Sequence, residues 1–270
     1  MASRTPPPAL VMSAKRSVWR MHDHADEADK VFRQVRKSIL EAFDYTCVYC
    51  TQRSEKYQEV HHGDDDHKNN KPPNLWCTCP LCHQVFHMGL AGMKDGADIV
   101  YVPELSQAEI NQLALVIWLV TETEEGRFTD PQERVYFSRL AGRAKTIQGM
   151  LENRRGTVQL KLKAALKETK FPPELIDKIK LSHLTPNLFS NVLMSLDDSI
   201  YADRARLLGG LRMLPKPARF RERIKHWSSE QDAVLPVPSW DRILPEGDIV
   251  QLVTFCTQQV AQLTTVAQVA

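Results

Sequence analysis

The sequence predicts a mainly α-helical protein with a small ββα-type module near its N-terminus, held together by a metal ion. Three observations lead to this fold class. Apolar residues recur at helical spacing along most of the 270 residues, five of the six cysteines lie between residues 47 and 82, and Pro and Gly separate the helical segments. A content of 43% hydrophobic and 25% charged residues is ordinary for a globular protein with a buried core.

The first predicted helix runs from Asp26 to Phe43, where Val31, Val35 and Ile39 recur at helical spacing. It leads directly into the first pair of cysteines. Before it, residues 1–13 contain the run TPPPAL, which is typical of an extended and loosely held segment. We therefore expect the metal module to begin with this helix and loose chain to precede it.

After the metal module, the pattern changes from a short strand to helices. The run ADIVYVPEL predicts a strand that ends at Pro103. Ser106 and Glu109 form a capping box before the run INQLALVIWLVTETEE, which predicts an apolar helix. Asp130 and the Pro that follows it are expected to cap another helix, which ends at about Arg155.

The remaining chain is expected to be helical and basic. The run VQLKLKAALKET predicts a basic helix, and the helical pattern continues from Phe171 to Trp227. From Arg154 to Lys225 there are 16 Lys and Arg against 7 Asp and Glu, a local charge of +9, whereas the whole chain carries +2. Such a basic half indicates an acidic partner (nucleic acid, anionic lipid or an acidic protein tail), although solvated helix faces would have the same composition.

The cysteine pattern indicates a bound metal ion. Cys47 and Cys50 form one CxxC pair, and Cys79 and Cys82 form a second about thirty residues later. Two such pairs supply the four thiolates that a tetrahedral structural zinc ion prefers, and clustering of this kind disfavours disulfides in a reducing compartment. Cys77 competes with Cys79, but the spacing to Cys82 favours Cys79, so Cys77 is assigned to packing.

Histidines between and after the cysteine pairs form a second set of candidate residues. His61 and His62 are neighbours on a predicted short strand and would face opposite sides, whereas His83 and His87 lie one turn apart on one helix face. His61, His83 and His87 could share a divalent cation that polarises a phosphate, while His62 would activate a water and Asn74 would orient His62. Alternatively, His83 orients a zinc-bound sulfur and His87 lies on the helix surface.

These residues resemble the motif of the HNH, or ββα-metal, nucleases, and the module as a whole resembles a treble clef. The resemblance covers only about residues 47 to 87. It implies a metal-dependent endonuclease that acts on DNA, in which His62 is the general base, Asn74 orients it, and His61, His83 and His87 hold a second divalent cation beside the structural zinc.

A longer resemblance is to the DotN/IcmJ family of type IVB (Dot/Icm-type) secretion and related conjugation systems. It covers roughly residues 14 to 125 and rests on the runs AKRSVWRMHDHADEADKVFRQVRKSILEAFDYTCVYC, YQEV, NNKPPN and YVPELSQAEINQL, with a looser match at LLGGLRMLPKPARFRERIKHW. It implies a non-enzymatic, zinc-containing adaptor with an HNH-like module. Such an adaptor would bind the C-terminal tail of the coupling ATPase, beside other coupling-complex subunits, at the cytoplasmic face of the bacterial inner membrane.

The predicted organisation has five parts: an extended segment (1–25), the metal module (26–105), a helical pair packing on the module (106–155), a basic helical region (156–235), and a linker with a C-terminal amphipathic helix (236–270). No apolar run approaches the roughly 18 residues of a membrane-spanning helix, and the N-terminus lacks an apolar signal core, so we expect a cytoplasmic protein.

Three functions remain open at this point. The adaptor is our main expectation, and a metal-dependent HNH endonuclease is the alternative. A plain nucleic-acid-binding zinc module ranks third, because no run interleaves aromatic residues with Lys and Arg. The adaptor and the nuclease share the four-cysteine zinc site. Only the nuclease requires His61, His62, His83 and His87 to converge within reach of one metal ion, with Asn74 close to His62.

Overall fold

The structure is a computed structural model that describes residues 6–14, 25–122, 128–167, 172–176, 185–229, 240–244, 246–247 and 251. Within these ranges the protein is mainly helical, which confirms the mainly α-helical part of the predicted fold class, and its strands form two separate antiparallel pairs. The predicted C-terminal amphipathic helix and most of the linker before it lie outside the described residues.

The helices and strands follow one another in a fixed order along the described chain. They are α1 (Ala25–Ala42), β1 (Glu59–His62), β2 (Leu75–Thr78), α2 (Pro80–Phe86), α3 (Met88–Met93), β3 (Ala97–Tyr101), α4 (Gln107–Glu122), α5 (Pro131–Asn153), α6 (Val158–Lys167), α7 (Pro173–Ile176), α8 (Pro186–Met194), α9 (Asp198–Ala202), α10 (Arg204–Leu207), β4 (Leu211–Pro215), α11 (Arg221–Trp227) and α12 (Trp240–Ile243). None of the helices within these ranges combines the length and the apolar character that a membrane crossing requires.

The hairpin of β1 and β2 carries the candidate site residues of the front part of the chain. Val60 pairs with Cys77 and His61 pairs with Trp76 in the antiparallel register. Side chains of one face of the hairpin, including Val60 and Cys77, pack against Ile39 and Leu40 of α1. Because side chains alternate along a strand, the other face is left for His61 and for α2, which follows β2 directly.

Helix α4 lies in the centre of the largest buried cluster and begins as predicted. The Ser106 backbone N–H donates to the Glu109 carboxylate (2.6 Å), and the Glu109 N–H donates to the Ser106 hydroxyl (3.2 Å), which is the reciprocal bonding of a capping box. Trp118 is 3% exposed and stacks on Phe220, so this residue belongs to the core. The cluster also contains the buried cysteines of both CxxC pairs, so α4 and the cysteines share one core.

The prediction that the chain stays helical from Phe171 to Trp227 is wrong at one segment, since Leu211–Pro215 is strand β4. This strand pairs with β3 so that Ile99 faces Met213. The turn before it needs Gly210, whose φ of +81° lies in the left-handed region that favours glycine. Backbone pairing with a strand more than 100 residues earlier overrides the local helical pattern, because β3 supplies the hydrogen bonds that a helix would otherwise provide.

Residues 12–14 are not loose, contrary to expectation for 12 and 13, and cross the module as a buried extended segment, called the strap below. The Ser13 N–H donates to the Val85 carbonyl (3.0 Å), and the Met88 N–H donates to the Ser13 carbonyl (3.2 Å), so the strap is bonded on both sides of the break between α2 and α3. The Tyr201 hydroxyl donates to the Ala14 carbonyl (2.8 Å) and accepts from the Ala14 N–H (3.1 Å). These bonds satisfy the backbone of an irregular segment that would otherwise be unpaired in the interior.

Candidate metal centre

The four cysteines of the two CxxC pairs lie together in the protein interior. Cys47, Cys50, Cys79 and Cys82 are each at most 3% exposed, and their sulfur atoms all lie within 4.8 Å of one another. The Sγ atoms of Cys50 and Cys79 are 3.5 Å apart. This separation is too long for a disulfide bond of about 2.05 Å and close to the edge of about 3.8 Å that a tetrahedron of sulfurs around zinc would have. The cluster could therefore hold a metal ion.

Each CxxC pair is shaped by its own turn. In the first, the Thr51 N–H donates to the Cys47 carbonyl (3.0 Å) and the Cys47 N–H donates to the Gln52 carbonyl (2.9 Å), while Thr51 adopts a φ of +59°. In the second, Cys79 is the N-cap of α2, and its sulfur accepts from the Cys82 N–H at 3.4 Å. Each turn is only a few residues long and directs its sulfur atoms toward the protein interior, as the CxxC spacing requires.

The thiols influence one another strongly because they are close and buried. Hydrogen bonds from Cys50, and then from Cys79 and Cys82, hold the pKa of Cys47 far below its usual range, whereas burial raises the pKa of Cys79. A negative charge on one sulfur thus disfavours deprotonation of the neighbouring thiols. A divalent cation would remove this conflict, since a metal-bound thiol is deprotonated.

Cys77 lies apart from the four-cysteine cluster and packs among apolar side chains. It is fully buried on the face of β2 that contacts Ile39 and Val60, and burial raises its pKa to about 12. A thiol with such a pKa stays protonated and behaves as a small apolar side chain. The sulfur that joins Cys82 is therefore that of Cys79, in agreement with the spacing.

Helix α4 contacts both cysteine pairs through two neighbouring polar residues. Asn111 is 1% exposed, and its Nδ2 lies 3.3 Å from the Cys82 sulfur. Gln112 donates from Nε2 to the Cys50 carbonyl at 2.6 Å. Sequence reasoning did not identify these residues, although the signal was present as a polar Asn–Gln pair within an otherwise apolar helix.

Three histidines form a second group in which metal ligation is possible. Nitrogen atoms of His61, His83 and His87 all lie within 4.8 Å of one another, and the Nε2 atoms of His83 and His87 are 3.3 Å apart. His61 stacks on Phe86, with ring centroids 4.0 Å apart. The register of the hairpin places His61 on the face toward α2, where His83 and His87 are one turn apart.

A carboxylate orients one of these histidines. Glu59, two residues before His61 on the same strand, has Oε2 2.5 Å from His83 Nδ1. When Nδ1–H donates to that oxygen, the Nε2 lone pair of His83 is directed toward the other two histidines, which is the usual support for a metal-binding imidazole. Burial, and then the nearby His83 and His87, lower the pKa of His61 to about 2, so its ring stays neutral and able to act as a ligand.

His62 faces the opposite side of β1 and lies outside this group. Its Nε2 is 3.0 Å from the Asn70 amide oxygen, and its ring stacks on His67 at a centroid distance of 4.7 Å. The Asn74 side chain instead donates to Asp64 (2.8 Å) and to the Asn69 carbonyl (2.9 Å). The predicted contact between Asn74 and His62 is thus replaced by one from Asn70, because Asn74 closes the loop between the strands.

Comparison with known proteins adds a relative that matches most of the chain. No protein-family model matches the sequence. The chain is similar to the type 4 apparatus protein DotN of Legionella pneumophila, with 25% identity over 222 residues, which cover 82% of this chain and 89% of DotN. This finding confirms the resemblance to the DotN/IcmJ family.

The similarity to DotN is longer than the metal module. A match of 222 residues exceeds the region from 14 to 125 in which the family motifs were found, so it includes much of the helical and basic half. The resemblance to the DotN/IcmJ family therefore concerns most of the chain and is not limited to the segment that contains the cysteines and histidines.

Proposed function

We propose that the chain is a zinc-containing adaptor subunit of a type IVB secretion or conjugation coupling complex. The observation that carries this proposal is the length of the similarity, which spans 89% of a type 4 apparatus protein. A metal module alone would support only a shared fold, because such modules occur in proteins of many functions. Similarity that continues through the helical half is what a shared place in an assembly would require.

In this proposal the four cysteines hold a structural zinc ion. The site consists of four buried soft donors and is closed on all sides, which fits a structural zinc ion better than a catalytic one with an open position. The ion would join the turn after α1, the start of α2 and, through Asn111 and Gln112, helix α4. Metal binding would then contribute directly to the folding free energy of the front part of the chain.

The proposed partner is the C-terminal tail of the coupling ATPase, together with other subunits, at the cytoplasmic face of the inner membrane. The local charge of +9 between Arg154 and Lys225 suits an acidic segment or an anionic membrane surface. The apolar side chains of helix α4 from Leu113 to Val120 are buried in the core, so this run offers no apolar surface to a partner. Exposed apolar side chains occur instead on other helices, among them α3, where Leu90 is 50% and Met93 is 78% exposed, and α8, where Leu188 is 41% and Met194 is 49% exposed.

A second candidate function, a metal-dependent HNH endonuclease acting on DNA, is favoured by the convergence of His61, His83 and His87. The order β1, β2, α2 around these residues also agrees with a ββα-metal module. A divalent cation held there would polarise a phosphate and stabilise the leaving oxygen. His62 would act as the general base, and the chain's own Asn70 would orient its ring.

The two candidates are separated by one pair of experiments on the purified, zinc-loaded protein. The adaptor proposal expects a synthetic peptide of the coupling-ATPase tail to bind in calorimetry, and supercoiled plasmid to stay intact with Mg²⁺, Mn²⁺ or Ni²⁺. Absence of peptide binding would contradict the adaptor. Plasmid nicking that disappears in His62→Ala would establish the nuclease, whereas nicking that persists in this variant would point to a contaminant.

A further inference from the structure

The Asn111 side chain is a polar group of α4 that reaches the Cys82 sulfur. It is 1% exposed and lies within an apolar helix, so its amide must find partners inside the protein. Its Nδ2 is 3.3 Å from the Cys82 sulfur. An amide nitrogen only donates hydrogen bonds, so the sulfur is the acceptor, and a thiolate accepts such a bond better than a thiol.

The orientation of this amide is fixed by the backbone of β4. Met213 donates its N–H to Gln107 Oε1 (2.8 Å) and accepts at its carbonyl from Gln107 Nε2 (2.7 Å), so the Gln107 amide has one possible orientation. Gln107 Nε2 also donates to Asn111 Oδ1 at 3.0 Å. The Asn111 oxygen is therefore committed to Gln107, and its NH₂ group is directed at Cys82.

We propose that Gln107 and Asn111 form an amide relay that positions a hydrogen-bond donor on Cys82 and thereby sets how tightly the four-cysteine site holds its metal. This inference rests on the zinc centre proposed above. Four thiolates around one divalent cation carry two surplus negative charges in a buried site, and each N–H···S bond stabilises that charge. Gln107 and Asn111 are positioning residues, since only Asn111 touches a ligand and neither binds the metal.

The relay also connects the metal centre to the second half of the chain. Its first member is bonded to β4, a strand that lies more than 100 residues beyond Gln107. Loss of the metal would leave Cys82 a poorer acceptor and the buried Asn111 amide without a strong partner. Metal removal is therefore expected to weaken the bond between the Met213 N–H and Gln107, which hydrogen exchange at that amide would report.

The test compares three variants of the full chain, each replacing an amide with an apolar side chain of similar size. Asn111→Leu removes the donor to sulfur, and Gln107→Met removes its orientation without touching the metal centre. Gln112→Met is the matched control, because Gln112 is on the same helix and holds α4 to the turn of the first cysteine pair through the Cys50 backbone carbonyl, with no hydrogen bond to a sulfur. The readouts are the rate of zinc transfer to a chromogenic chelator and the sulfur-to-cobalt charge-transfer band of the Co²⁺-loaded protein.

We expect Asn111→Leu to release zinc about 10- to 100-fold faster than the wild type, which is the usual cost of removing a residue that supports a ligand. Gln107→Met should change the zinc-release rate and the cobalt band in the same direction as Asn111→Leu, but by a smaller amount. Gln112→Met should leave the band unchanged. A folded Asn111→Leu protein with wild-type release and an unshifted band would overturn the relay. If Asn111→Leu does not fold, a Gln107→Met protein with unchanged release and band would overturn it.

Different results would refute the proposed zinc centre and the proposed relay. A wild-type protein that binds no metal at the cysteines would overturn the proposed zinc centre and the relay together. A wild-type protein that binds one zinc ion, with all three variants releasing it alike, would leave the zinc centre intact and overturn the relay alone.

Discussion

Replacing one cysteine of the four-cysteine cluster should unfold the front part of the protein. Cys82 is 0% exposed, and Cys82→Ala removes one of four proposed zinc ligands from a closed site. Structural zinc contributes roughly 10–16 kcal/mol to the apparent folding free energy of small zinc-finger peptides. Domains are stable by only about 5–15 kcal/mol in total. Even a partial loss of the metal contribution is therefore large enough to unfold the segments that the ion joins.

Cys77 provides a matched control for this change. It is also 0% exposed and lies on β2 beside the second CxxC pair, but it packs among apolar side chains outside the cluster. Cys77→Ala removes one buried heavy atom and should cost about 1 kcal/mol, as the loss of a single methyl group does.

The assay is a thermal unfolding curve together with the zinc content of each purified variant. We expect Cys82→Ala to lose its zinc and its cooperative transition, and Cys77→Ala to keep one zinc per chain with a transition lowered by only a few degrees. Equal effects of the two substitutions would refute the assignment of ligands. A Cys82→Ala protein with full zinc content and an unchanged melting curve would refute the metal centre.

Three further predictions concern the cap of α4, the packing of α3 and the histidine group. Ser106→Ala should lower stability by about 1 kcal/mol in denaturant unfolding, and no loss would mean that the capping box contributes nothing. Gly92→Ala should destabilise by about 1–3 kcal/mol, because its new Cβ would lie 2.2 Å from a backbone nitrogen of α8. Gly149→Ala, with nothing within 4 Å, should instead stabilise by up to about 1 kcal/mol in the same assay, and equal effects would contradict the close contact. His87→Ala should abolish binding of a second divalent cation in calorimetry while the cysteine-bound zinc remains. Glu59→Gln should weaken the binding of this second cation. Unchanged titrations in both variants would show that the histidines hold no metal.

Short spacings along the chain determined much of this protein without reference to its tertiary structure. Ser106 and Glu109 of the capping box are three positions apart, Asp130 accepts from the N–H groups two and three residues later, and each CxxC pair closes within one turn. The apolar run of α4 is also a local property. Features of this kind are predictable because their energies come from residues within one helical turn of each other.

The tertiary structure decided which distant groups meet. Strand β4 exists because β3 pairs with it, and its local pattern alone indicated a helix. Asn70 rather than Asn74 reaches His62, because the closure of the loop between β1 and β2 uses the Asn74 amide. Asn111 touches a sulfur that lies 29 residues earlier in the chain, which no spacing rule expresses.

The four-cysteine cluster shows where the division falls. The sequence predicts its four members, because two CxxC turns are local structures that each direct a pair of sulfurs to one side. The hydrogen-bond donors around the sulfur atoms are decided by the packing of α4 and β4 onto those turns. A hydrogen bond across the core depends on the relative position of elements that are far apart in the chain. Sequence therefore determined the proposed ligands of the ion, and only the fold determined the hydrogen bonds around them.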